Sequence, residues 1–158
     1  MITSKARMAR ISPLNQLKPA TLFAAYWLPV ISYCLIIFIQ SAFPSPDVFP
    51  HLPHLDKLLH ATGYALLGAL FYRALRQSDR FINRPGWLLA ISVAAATLYG
   101  ASDEWHQSFV AARQADILDL LADFIGSTLG GAGYAALIAK GRCWAGHYSL
   151  IDKILHFL

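Results

Sequence analysis

Charge is scarce in this chain. Only 14% of its 158 residues are Asp, Glu, Lys or Arg, against about a quarter in soluble domains, which excludes an ordinary water-exposed surface. Cysteine is scarcer still. Cys34 lies inside an apolar run and Cys143 lies beyond the last one, a placement unsuited to a structural disulfide, and neither belongs to a metal-ligand pair. There is no internal repeat and no low-complexity tract. Apolar residues fill the chain instead, at 56% with a mean hydropathy of +0.45, so the length of each apolar run decides the class of protein.

A helix needs about 20 largely apolar residues to cross a hydrocarbon core of about 30 Å. Residues 21–43 and 86–102 carry no charge. Residues 58–72 are bounded by Lys57 and Arg73, whose long side chains can snorkel to the interfaces. Residues 117–139 are long enough but contain Asp119 and Asp123. The first run follows a basic stretch, as in a signal peptide. It is longer than the usual apolar core of such a leader and lacks a small-residue cleavage site, so it is read as a retained span.

The expected architecture is an all-α, multi-pass membrane protein. It has a basic tail at 1–20, a domain of four transmembrane helices at 21–139 and a tail at 140–158, with no room for a separate soluble domain. In the last tail Leu150, Ile151, Ile154, Leu155 and Leu158 recur at helical spacing, the pattern of a short amphipathic helix on the membrane surface. Trp87 and Trp105 bracket the third span, as interfacial aromatics do. Four prolines between residues 44 and 53 make the first connection stiff and extended.

Cytoplasmic loops carry excess Lys and Arg. Eleven of the 13 basic residues fall in the two tails and in the loop between the second and third spans; only Lys57 and Arg113 fall on the other side, with seven of the nine acids. Both termini are therefore expected in the cytoplasm, and the acidic side faces the exterior. The net charge of +4 is dispersed without a nucleic-acid motif, and anionic lipid head groups account for it better.

Ionisable residues within a span are costly and mark functional sites by default. Asp116, Asp119 and Asp123 share one helix face, continued by Gly126 and Gly130, a G-x-x-x-G pair suited to close helix approach and to a homo-oligomer. Asp116 can cap the fourth helix, and Asp119 can offset its dipole. Asp56, His60 and Tyr64 form a second stripe, extended by Gly68, and Asp103, Glu104 and Gln107 form a third at the end of the next span. His106 adds a further donor there.

The Asp-Lys-x-x-His-x-x-x-Tyr signature of Asp56, Lys57, His60 and Tyr64, followed by Gly68, is the first element of a resemblance. Asp103, Glu104, Gln107, Arg113, Asp116, Gly126 and Gly130 supply the second. Together they resemble the VanZ-like family of small bacterial membrane proteins, whose founding member is associated with resistance to the glycopeptide teicoplanin. The resemblance runs from about Ser41 onward and implies a role in the cell envelope. Ala111 and Ala112 stand where the family often has Pro-Gly, and Asp123 where Asn is common, which leaves open whether that position titrates or only hydrogen-bonds.

Three functions fit these residues. One is an outer-face site acting on an envelope lipid or lipid-linked cell-wall precursor. In it His60 or Glu104 would be the general acid or base, Asp56 and Asp103 would orient it, and Lys57 and Arg113 would hold an anionic head group, with Tyr64, Gln107, Asp116, Asp119 and Asp123 completing the binding surface. The second is a non-enzymatic modulator that binds such a head group or a glycopeptide antibiotic. The third is a small proton-coupled transporter using Asp123 and His60, enlarged by dimerisation. No nucleophile with a paired base is evident. No spacing matches a metal motif, so neither metal nor cofactor is assigned. Reporter fusions should place both termini and Arg80 in the cytoplasm and Asp47 and Glu104 outside; an external C-terminus would invert the map.

Overall fold

The computed structural model describes residues 19–43, 54–78, 81, 83–111 and 113–155, with side chains described as far as residue 141. The basic residues of the first tail, Asp47 with most of the proline-rich link, Arg80, Ala112 and the side chains of the last tail, Cys143 included, lie outside that description. The described residues are all-helical, with four helices: Pro19–Ser41 (α1), Leu55–Leu75 (α2), Pro85–Gln107 (α3) and Ile117–Leu155 (α4). Proline opens α1 and α3, where its missing N–H costs no helical bond. His54 enters α2 with φ 65°, a left-handed conformation that His tolerates better than most residues.

Successive helices run antiparallel. Ser41 meets Asp103 and Lys57 meets Asp116 at one end, while Arg73 reaches the Ala25 carbonyl and Tyr72 meets Tyr134 at the other. The helix α2 touches all three others and packs most closely on α4. By contrast α1 is peripheral, with Leu28, Ile31, Leu35, Ile36 and Ile39 all exposed, an apolar face suited to lipid. Trp87 and Trp105 are both exposed near opposite ends of α3, roughly 27 Å apart at 1.5 Å per residue.

Among the described residues three helices, not four, are long and apolar enough to cross a membrane: Ala20–Ser41, Pro85–Gln107 and Ile117–Gly141. The expected span at 58–72 is the body of α2, and Asp56, Lys57 and Arg73 at its ends reduce its apolar character. Nor is the terminal amphipathic helix an element of its own. The described backbone continues as α4 to Leu155 without a break, roughly 58 Å of helix, of which Ile117–Gly141 is apolar enough to cross a membrane.

Lipid supplies no hydrophobic drive between helices, so close packing and polar contacts must hold them. A Cβ on Gly126 would run into the Ala61 carbonyl, one on Gly130 into that of Ala65, and one on Gly68 into the Ser127 backbone. The Gly126 and Gly130 stripe thus faces the bundle, where α2 of the same chain packs against it. Backbone cannot yield as a flexible side chain can. Gly130→Leu should therefore cost at least the ~1–3 kcal/mol typical of overpacking and lower the thermal midpoint of detergent-purified protein. Gly133→Ala, with nothing within 4 Å of the added Cβ, should leave that midpoint in place.

Candidate functional site

The end of the bundle where α1 finishes, α2 begins, α3 finishes and α4 begins collects the polar residues of three helices. Asp116 caps α4: its Oδ1 accepts the Leu118 N–H at 2.8 Å, and its carbonyl accepts the Asp119 N–H at 3.0 Å. The cap read from the sequence is therefore present, but its residues do more. Lys57 Nζ lies 2.8 Å from Asp56 Oδ2, 2.7 Å from Asp116 Oδ2 and 2.8 Å from Asp119 Oδ1. An ammonium has three donors, and all three are engaged. The hydrogen bond from Lys57 holds the Asp116 carboxyl below its ordinary range.

One turn further along α2, His60 Nδ1 stands 2.9 Å from Asp123 Oδ1, and Asp123 is completely buried. With Asp123 ionised, its carboxylate only accepts and Nδ1 carries the proton of this pair, and in the neutral ring Nε2 then presents a lone pair. That Nε2 is 4.0 Å from Glu104 Oε1. Glu104 is itself fixed from the far side, its Oε2 accepting the Asp116 N–H at 2.9 Å. The His60 ring lies parallel to that of Tyr64 at 6.2 Å, and Tyr64 is buried with its hydroxyl unpaired among the described residues. Gly100 lets α3 approach here, since a Cβ would strike Asp123 Oδ2.

A second network faces α1. Ser41 Oγ and Gln107 Nε2 both donate to Asp103 Oδ2, at 2.7 and 2.9 Å. Arg113 donates to Gln107 Oε1 at 3.3 Å, to the Phe43 carbonyl at 3.0 Å and to the Gln40 carbonyl at 3.1 Å. The last carbonyls of a helix lack partners within it, so Arg113 closes the C-terminal end of α1. Between the networks lies a cavity of about 200 Å³, whose wall includes Asp56, His60, Tyr64, Asp103, Gln107 and Arg113 together with apolar Ile37 and Leu59.

All eleven residues singled out in the sequence thus gather at one end of the bundle, in two linked clusters rather than one pocket. Six of them line the cavity. Glu104, Lys57, Asp116, Asp119 and Asp123 sit behind its His60 wall. The anion-holding role expected of Lys57 does not suit its surroundings, because its donors are spent on carboxylates. His106 points elsewhere, stacking on Phe38 with ring centroids 4.6 Å apart.

Sequence reasoning missed the contribution of α1, namely Tyr33, Gln40 and Ser41, and the clearance at Gly100. The signal for Gly100 was available: Ala96, Gly100, Asp103, Glu104 and Gln107 make one helical stripe, and all five are buried. Gln40 and Ser41 break an otherwise apolar run just before its end, but no periodicity singles them out.

Packed helices, three of them apolar enough to span a bilayer, with a charged and hydrogen-bonded cluster at one end define a multi-pass membrane protein with an internal polar site. The VanZ/LLP1 family model matches residues 3–139, and the chain belongs to that family. No curated protein and no solved structure matches it.

The Asp123 side chain is the innermost polar group of the site. Asp123→Asn keeps an acceptor for His60 Nδ1 and should be tolerated. Asp123→Leu strands a buried donor, which costs about 1–3 kcal/mol. Thermal unfolding in detergent should separate the two, the leucine variant melting clearly below both asparagine and wild type; coincident midpoints would mean the pair is idle.

Proposed function

We propose that this VanZ/LLP1 family protein binds the polar head group of an envelope lipid or lipid-linked cell-wall precursor at the outer face of the bacterial cytoplasmic membrane. The observation that carries the proposal is the mixed lining of the cavity. Asp103, His60, Gln107 and Arg113 offer hydrogen-bonding groups, while Ile37 and Leu59 offer apolar surface, a combination that suits the junction of head group and acyl chain. Asp103 Oδ1 is buried without a partner among the described residues, an acceptor left for a hydroxyl or amine of the ligand.

Size narrows the choice. At about 200 Å³ the cavity is smaller than the roughly 300–1,000 Å³ that encloses drug-sized ligands. A whole glycopeptide antibiotic is larger still, so the site takes a head group whose tail remains in lipid alongside α1. The wall is acceptor-rich: Asp56 and Asp103 stand with Gln107, and Arg113 is already engaged with Gln107 and two carbonyls. A hydroxyl- or amine-bearing head group fits it better than a bare anion.

Orientation rests on the basic residues. With the tails and the loop between α2 and α3 in the cytoplasm, the cavity opens on the outer side. In this reading α2 crosses with the others, its polar stripe facing α3 and α4 instead of lipid. Residues 21–139 then act as one transmembrane unit, flanked by tails at the inner surface.

Purified protein in nanodiscs, offered a panel of envelope lipids and lipid-linked precursors, should bind one class saturably. Asp103→Asn and Gln107→Ala should each weaken that binding by about tenfold, near the ~1.4 kcal/mol of a well-made hydrogen bond, while leaving membrane accumulation near wild type. Product formation would add acid–base chemistry by His60 or Glu104 to the binding role. Absence of saturable binding across the panel would overturn the proposal.

A further inference from the structure

His60, Glu104 and Asp119 each bring one potential ligand atom to within 4.8 Å of the others, and each is held from behind. Asp123 Oδ1 holds His60 through Nδ1, which leaves Nε2 as the free lone pair. The Asp116 N–H holds Glu104 through Oε2, and Lys57 holds Asp119 through Oδ1. Such partners on the far side of each ligand are what orient and tune a metal site, the carboxylate behind a ligating imidazole above all.

An independent observation points to a missing partner. Glu104 is 7% exposed, and its Oε1 has no hydrogen-bond partner among the described residues. It faces His60 Nε2 across 4.0 Å, too far for a hydrogen bond. Tetrahedral ligands at about 2.1 Å from one ion stand roughly 3.4 Å from one another, so the three donor atoms would close in around a bound ion. A buried carboxylate oxygen left bare is expensive, and a cation would satisfy it.

We infer that His60 Nε2, a Glu104 carboxylate oxygen and an Asp119 carboxylate oxygen bind one divalent transition-metal ion, Zn²⁺ or Mn²⁺. One imidazole with two carboxylates suits those ions, whereas Mg²⁺ and Ca²⁺ prefer oxygen alone. Three protein ligands leave further positions open, as in sites where a metal holds water or ligand. Because His60 also lines the cavity, the ion would stand just behind its wall. The inference is independent of the lipid reading, since it is tested with metal alone.

Chelator-stripped protein in detergent, titrated with Zn²⁺ or Mn²⁺ by calorimetry, should take up one equivalent saturably. His60→Gln and Glu104→Gln should each weaken uptake by roughly 10- to 100-fold, with thermal unfolding confirming that they remain folded. His106→Gln, on the neighbouring face of α3, should bind as the wild type does. Mn²⁺ bound to the wild type should show magnetic coupling to a single imidazole nitrogen, a readout that depends on no variant. The inference fails if neither ion binds saturably, if His106→Gln rather than His60→Gln loses the ion, or if bound Mn²⁺ shows no nitrogen coupling.

Discussion

The close approach of α2 and α4 is the constraint on which everything else rests. Gly126 and Gly130 admit the Ala61 and Ala65 carbonyls, and Gly68 admits the backbone at Ser127. Because these contacts are backbone on backbone, they fix how far one helix lies along the other. That register puts Lys57 against Asp116 and Asp119, and His60 against Asp123, one turn deeper. A slip of one helical turn, about 5.4 Å, would break this set of pairs together, because each depends on the same register.

Register alone would not suffice without the charges it aligns. Among the described residues six carboxylates stand at this end with only Lys57 and Arg113 as permanent cations, an imbalance that would be severe if every group were desolvated. The fold meets it by sharing. Lys57 serves three carboxylates, a backbone N–H serves Glu104, and a serine and a glutamine serve Asp103. What remains uncompensated is concentrated on Glu104, Asp123 and Asp103, each with one oxygen unpaired among the described residues. The first and last of these oxygens are where ligands are assigned above.

The outermost helix, α1, has a different task. It buries little, and its exposed face is mostly apolar, yet its last turn supplies Ser41 and the carbonyls that anchor Arg113. It also forms one side of the cavity through Tyr33 and Ile37.

The sequence by itself determined the class of this protein and the polar stripes of α2, α3 and α4. Apolar run length shows in composition, helix faces follow from a period of 3.6 residues, and both are local properties of the chain. They were enough to read helices around residues 21–43, 86–102 and 117–139 and to put Asp56, His60 and Asp123 on inward stripes. Tertiary structure decided which residues pair. That Lys57 binds carboxylates and not an incoming anion, that Gly126 and Gly130 face α2, and that Ser41 meets Asp103 across 62 residues all depend on which helix lies beside which and at what register. Those are relations between distant segments, set by backbone contact distances that no local pattern records.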